Sequence, residues 1–95
     1  MRVHWTNEAL DQLLRIRERV AERSPDAADR LVERLATRAE QLDAFPRSGR
    51  AVPEYERDDI REVIVRPYRV IYRVKPEQID ILSVVHSQRR LPPNP

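Results

Sequence analysis

Three short runs rich in Val, Ile and Tyr close the chain, and the shortness of their connections restricts the fold more than any other feature. The runs are residues 61–66, 68–75 and 78–86, punctuated by Pro67 and by Lys75-Pro76-Glu77. β-Branched and aromatic residues suit a pleated, half-buried surface, so each run reads as a strand. A parallel neighbour needs a crossover of a dozen residues or more. Turns this short therefore force an antiparallel meander.

The first half of the chain has a different period. Arg2-Val3-His4-Trp5 alternates polar and apolar, as a short strand does. Apolar residues then fall at Ala9, Leu10, Leu13, Ile16, Val20 and Ala21, with Leu14 widening the stripe. This is helical spacing, with Thr6 or Asn7 as the cap. Ser24-Pro25-Asp26 restarts a helix: Ser caps, Pro fits the first turn, and Asp favours the positive end of the helix dipole. The second helix presents Ala28, Leu31, Val32, Leu35, Ala39 and Leu42, and Pro46 is expected to stop it just after Phe45.

Residues 45–54 read as a loop. They hold the only glycine, Gly49, which is expected at positive φ. The element order is then β-α-α-β-β-β, an α+β chain with a helical hairpin packed on one face of a small, mainly antiparallel sheet. The other face is expected to be open to solvent and polar. Residues 1–91 form one domain, and Pro-rich residues 92–95 form a tail.

Composition narrows the chemistry. At 95 residues, 40% apolar and 36% charged, the chain has room for one thin core under a charged surface. Its positive charge comes from seventeen Arg and one Lys, against 16 acidic residues, for a net +2. Arg binds carboxylates and phosphates through a planar five-donor fork, which Lys lacks. The absence of Cys excludes disulfides, Cys-based zinc sites and thiol nucleophiles. Two His without ligand spacing point to no metal and no cofactor. One Gly rules out a Gly-rich phosphate loop, and five aromatics make a poor base-stacking platform. No apolar run approaches the ~20 residues of a membrane span, so the chain reads as soluble and cytoplasmic.

Candidate site residues lie on the strands. Alternation puts Tyr68, Val70, Tyr72 and Val74 on one face and Arg69, Ile71 and Arg73 on the other, pointing away from the helices. Arg61 and Arg66 have opposite parity. Glu62 can pair with Arg69 or Arg73, the competing structural use of these charges. His86 ends the last strand, and its pKa range suits a general base. Arg89 and Arg90 follow it and are expected to be exposed.

These residues, in order, resemble a known family. The Ser24-Pro25-x-Ala-Ala restart, the Phe45-Pro46-x-Ser-Gly49-Arg50-x-Val-Pro53-Glu54 loop and Arg61-Glu62 are followed by Pro67-Tyr68-Arg69-Val-Ile-Tyr72-Arg73-Val, Val84-Val-His86 and Arg89-Arg90. Across residues 3–91 the set looks like the ParE branch of the RelE/ParE toxin superfamily. The resemblance implies the toxin of a type II toxin–antitoxin pair, assembled with an acidic C-terminal segment of a cognate antitoxin that carries a DNA-binding N-terminus. ParE-like members are described as inhibitors of DNA gyrase, and RelE-like members as ribosome-dependent mRNA endonucleases. A third implied reading is a toxin fold that only binds its antitoxin.

The strand before Pro67 has no Lys, and no Tyr follows the last strand, so Arg69 and His86 form an incomplete nuclease set. The resemblance therefore favours a gyrase-directed binding toxin over an enzyme. Arg61, Arg66, Arg69, Arg73, His86, Arg89 and Arg90 are the partner-binding candidates.

Overall fold

The computed structural model describes all 95 residues. Strand β1 (Arg2–Trp5) leads into helices α1 (Asn7–Ala21) and α2 (Pro25–Glu40), followed by strands β2 (Arg50–Ala51), β3 (Ile60–Val65), β4 (Tyr68–Val74) and β5 (Gln78–His86). They form one five-stranded sheet in the order β1-β5-β4-β3-β2. Strand β1 runs parallel to β5, and the other pairs are antiparallel. The meander forms as its short turns require. The two-residue β2 is an addition to the sequence reading, which had these residues in a loop.

Both helices begin where their caps predict. Thr6 accepts from the Ala9 N–H, and Ser24 accepts from the Ala27 N–H, with Pro25 in the first turn. The Thr6 hydroxyl also donates to the Ile81 carbonyl at 2.7 Å, so one side chain both starts α1 and fastens it to β5. Helix α2 ends at Glu40 and continues as turns, so it stops before Pro46 rather than at it.

The hairpin buries Ala9, Ile16, Leu31, Leu35 and Ala39, with Leu42 just beyond α2, against Val63, Tyr68, Val70, Tyr72, Ile79, Ile81 and Val84. Leu10 and Leu14 do not join this core: they are 42% and 53% exposed. Each lies ~100° round the helix from the sheet-facing row Ala9, Leu13, Ile16, Val20, of which Ala9 and Ile16 are buried and Leu13 and Val20 partly so. Gln12 lies on the sheet side instead, its Oε1 accepting from the Val84 N–H at 2.7 Å.

The far face is not open. Val52 and Tyr55 from the loop before β3 pack with Ile60, Ile71, Val85 and Leu91 in a second core. The Tyr55 hydroxyl donates to the Pro92 carbonyl at 2.7 Å, which draws the C-terminal residues onto this face. Alternation holds along β4 but slips by one residue in β5, where Ile81 and Val84 share the helix side while Leu82 and Val85 face away, and both faces are apolar at mid-sheet.

Gly49 does not have a positive φ. Its requirement is steric. A Cβ there would lie 2.3 Å from the Glu62 carbonyl oxygen and 2.7 Å from the Tyr72 hydroxyl. The missing side chain lets the Gly49 N–H reach the Tyr72 oxygen at 3.1 Å, while that hydroxyl donates to the Pro46 carbonyl at 2.8 Å.

Leu35 has no exposed surface at the centre of the hairpin–sheet core. Leu35→Ala should therefore destabilise the fold by about 2–5 kcal/mol. Urea denaturation followed by circular dichroism measures this, and a loss near zero would mean that α2 presents a different face.

Candidate functional site

Arg69 sits at the start of β4 on the face away from the helices and is only 5% exposed. Its Nη1 and Nη2 donate to the two oxygens of Glu54 at 2.8 and 2.9 Å, a bidentate fork. Its Nε donates to Glu62 Oε1. The Glu62 carboxylate is fully buried, and its other oxygen accepts from Arg50 Nε at 2.6 Å. Two guanidiniums and two carboxylates thus form a neutral, closed network linking β2, β3, β4 and the loop at Glu54.

Each charge in the network shifts its neighbour. The Arg69 fork holds the Glu54 carboxyl below its ordinary 4.5, against the opposing effect of desolvation. Glu54 first, and Glu62 behind it, raise the Arg69 pKa further despite burial. Tyr55 beside them is pushed up by burial and by the Glu54 charge.

The other strand arginines are committed to different degrees. Arg61 donates to the Gly49 carbonyl at 2.8 Å, to the Asp58 carbonyl at 3.0 Å and to Asp58 Oδ1 at 2.7 Å, tying the residue before β2 to the segment that enters β3. Arg73 faces Asp59 Oδ2 at 3.6 Å, a long ion pair, while Arg57 donates to both Asp59 oxygens at 3.0 and 2.8 Å. The Arg73 Nε is buried without a hydrogen-bond partner. Arg66 is exposed in the β3–β4 turn, where its carbonyl accepts from Arg34 at 2.8 Å and its guanidinium has no partner.

His86 lies on the opposite face from Arg69. It pairs across the sheet with Tyr68, and the rings meet edge to face with centroids 5.9 Å apart. Its Nδ1 accepts from the Gln88 N–H at 3.2 Å. Arg89 and Arg90 follow, both exposed and free of ion pairs. Arg69 and His86, the two nuclease candidates, are therefore separated by the sheet rather than brought together. The free cations among the candidates are Arg66, Arg89 and Arg90.

Sequence reasoning placed Arg50 in a candidate basic patch with Arg47, Arg57, Arg66, Arg89 and Arg90, whereas Arg50 is paired with Glu62. That reasoning gave no role to Glu54 or Tyr55. Nor did it single out Arg15 and Arg19, whose four-residue spacing on α1 brings them beside His86. No three His, Asp or Glu side chains are grouped as metal ligands.

Residues 3–91 match the family described as the ParE toxin of type II toxin-antitoxin system, parDE. The protein Y4kP of Sinorhizobium fredii is 33% identical over 93 residues, covering 96% of this chain and 93% of its own length. Toxin RelE2 of Caulobacter vibrioides is 36% identical over 88 residues, covering 92% of this chain and 96% of its own. A chain in the solved chromosomal ParDE TA system from P. aeruginosa superposes with a TM-score of 0.76 at 25% identity, covering 90% of this chain and 95% of that one.

The charge network makes a stability prediction. Arg69→Met leaves the buried Glu62 carboxylate with Arg50 alone, and should cost about 3–5 kcal/mol in chemical denaturation. Glu54, depressed in the folded chain, contributes stability above its unfolded pKa and loses it as pH falls through the folded one. The native chain should thus weaken as pH drops below 4.5. Arg69→Met should flatten that part of the profile, and an unchanged acid slope would deny the Arg69–Glu54 coupling.

Proposed function

The chain belongs to the ParE family of type II toxin–antitoxin toxins, and on that premise we propose that it acts by binding DNA gyrase rather than by cutting mRNA. The observation that carries this reading is the state of Arg69. A ribose-directed nuclease needs a free cation where negative charge develops on phosphorus, with a base and an acid within reach of the reacting atoms. Arg69 instead gives its whole fork to Glu54 and Glu62. His86, the remaining titratable candidate, lies across the sheet from it.

What this chain offers to a target is a recognition surface. His86, Arg89 and Arg90 stand together at the exit of β5 without carboxylate partners. Family membership also implies an antitoxin, and the exposed arginines fit an acidic C-terminal segment. Opposite charge of that kind raises the association rate more than the final affinity.

A second reading, ribosome-dependent mRNA cleavage, is favoured by the RelE name carried by the Caulobacter relative. It requires Arg69 to leave Glu54.

Expression without the antitoxin separates these readings. Gyrase inhibition gives filamentation with DNA-damage signalling, mRNA cleavage gives rapid translation arrest, and unaffected growth points to a toxin fold that only binds its antitoxin. Under the gyrase reading, His86→Gln keeps most toxicity, while reversing charge at Arg89 and Arg90 abolishes it in a chain that remains folded. Loss of a general base typically lowers rate 10²–10⁴-fold. A folded, antitoxin-binding His86→Gln chain that no longer harms cells would overturn the proposal in favour of cleavage.

A further inference from the structure

Between the sheet-facing side of α1 and the exit of β5 lies a pocket of ≈ 220 Å³. Its polar side chains are Gln12, Arg15, Arg19, Tyr68, His86 and Arg89, and no carboxylate lines it. None of the three arginines has an ion-pair partner elsewhere in the fold.

The hydrogen bonds already made around this pocket leave it with one kind of group. Gln12 uses its oxygen on the Val84 N–H, which leaves its NH₂. Tyr68 accepts from Arg19 at 3.3 Å, so its hydroxyl proton is free to donate. The Nδ1 of His86 accepts from the Gln88 N–H, which puts the ring proton on Nε2. Arg15, Arg19 and Arg89 are donors only. Every polar side chain of the pocket therefore has a donor left to give, and Gln12, Tyr68 and His86 each already use an acceptor within the fold.

A wall of donors with a net positive charge selects a ligand that is all acceptor and negative. The groove along α2 differs. There Arg30, Arg34, Arg38 and Arg66 share the lining with Glu33 and Gln41, so acceptors and a negative charge are present.

We propose that the pocket formed by Arg15, Arg19, His86 and Arg89 binds a phosphate group, and that the phosphate belongs to a nucleic-acid strand. A phosphodiester brings one charge, as a carboxylate does, but each of its two non-bridging oxygens accepts over a wider cone than a planar carboxylate's, so guanidiniums arriving from α1 and from the β5 exit can share it, and a strand repeats the group at every nucleotide. A strand is favoured over a lone ion because the cations continue past the pocket. Arg23 follows Arg15 and Arg19 at the same four-residue spacing, and Arg90 adjoins Arg89. This site uses residues of α1 and goes beyond the gyrase reading, since it can be tested without gyrase.

The test is a titration of the full-length chain, read by ¹H–¹⁵N NMR and by fluorescence anisotropy of a labelled single-stranded oligonucleotide. Inorganic phosphate and poly-glutamate serve as the other probes. The expected result is that oligonucleotide and phosphate both shift the Gln12 side-chain amide and the signals of His86 and Arg89, with the oligonucleotide binding more tightly.

The pair Arg15→Gln/Arg19→Gln, both exposed helix positions, should weaken oligonucleotide binding at least about tenfold. It should also lower the slope of log affinity against log salt by about two. Arg30→Gln/Arg34→Gln should leave both within about twofold. The strand proposal fails if inorganic phosphate binds as tightly as the oligonucleotide. The site itself fails if poly-glutamate binds there as well as the oligonucleotide does, if the shifts fall on α2, or if the Arg15/Arg19 pair leaves affinity unchanged. The NMR localisation on the unaltered chain stands whether or not that variant folds.

Discussion

The far side of this fold is organised around a carboxylate that water does not reach. Glu62 has no exposed side-chain surface, and a buried charge is tolerable only when donors surround it. The register supplies them. Arg50 lies directly across from Glu62 on β2, and Arg69 is next to its β4 partner position, two residues before Ile71. The two-residue β2 exists where Arg50 meets this charge. Arg69 then extends the network to Glu54 and fixes the loop that carries Val52 and Tyr55 over the sheet. The second core is thus a consequence of how one acid is accommodated.

The same network divides the arginines by use. Arg50, Arg61 and Arg69 hold strands and loop together, and Arg57 with Arg73 bracket Asp59. The arginines near the exit of β5 and along the outer sides of the helices have few or no carboxylate partners. A net charge of +2 hides this separation. Positive potential is cancelled where strands and loop are held together and persists at the exit of β5 and along the helices.

Much of the fold was legible because its causes are local. Thr6 and Ser24-Pro25 mark helix starts through their own hydrogen-bonding chemistry, and the meander follows from the lengths of its turns. Legibility failed where the cause was long-range. Gly49 looked like a backbone-dihedral requirement, but its reason is the close approach of Glu62 and Tyr72, 13 and 23 residues later in the sequence. Leu10 and Leu14 matched the helical period, yet the sheet is too narrow to cover so wide a stripe. At the candidate site, alternation correctly placed Arg69 away from the helices and on the same face as Glu62. It carried no signal that Glu54 would fold over and close that face. Nor could it bring Arg15 and Arg19 beside His86, since that depends on how α1 lies across β5.

Strand β5 lies between β1 and β4, and its partner on one side precedes both helices in the chain while the other is the strand just before it. Arg2 pairs with Gln78, so the sheet cannot close around its N-terminal strand until most of the chain exists. During synthesis the helical hairpin has no sheet to cover until then. A chain cut short before β5 lacks the strand that holds β1, the anchor for Thr6, and the exit segment with His86 and Arg89. A chain that ends before β5 therefore loses together the sheet's link to its N-terminal strand and the cationic exit segment.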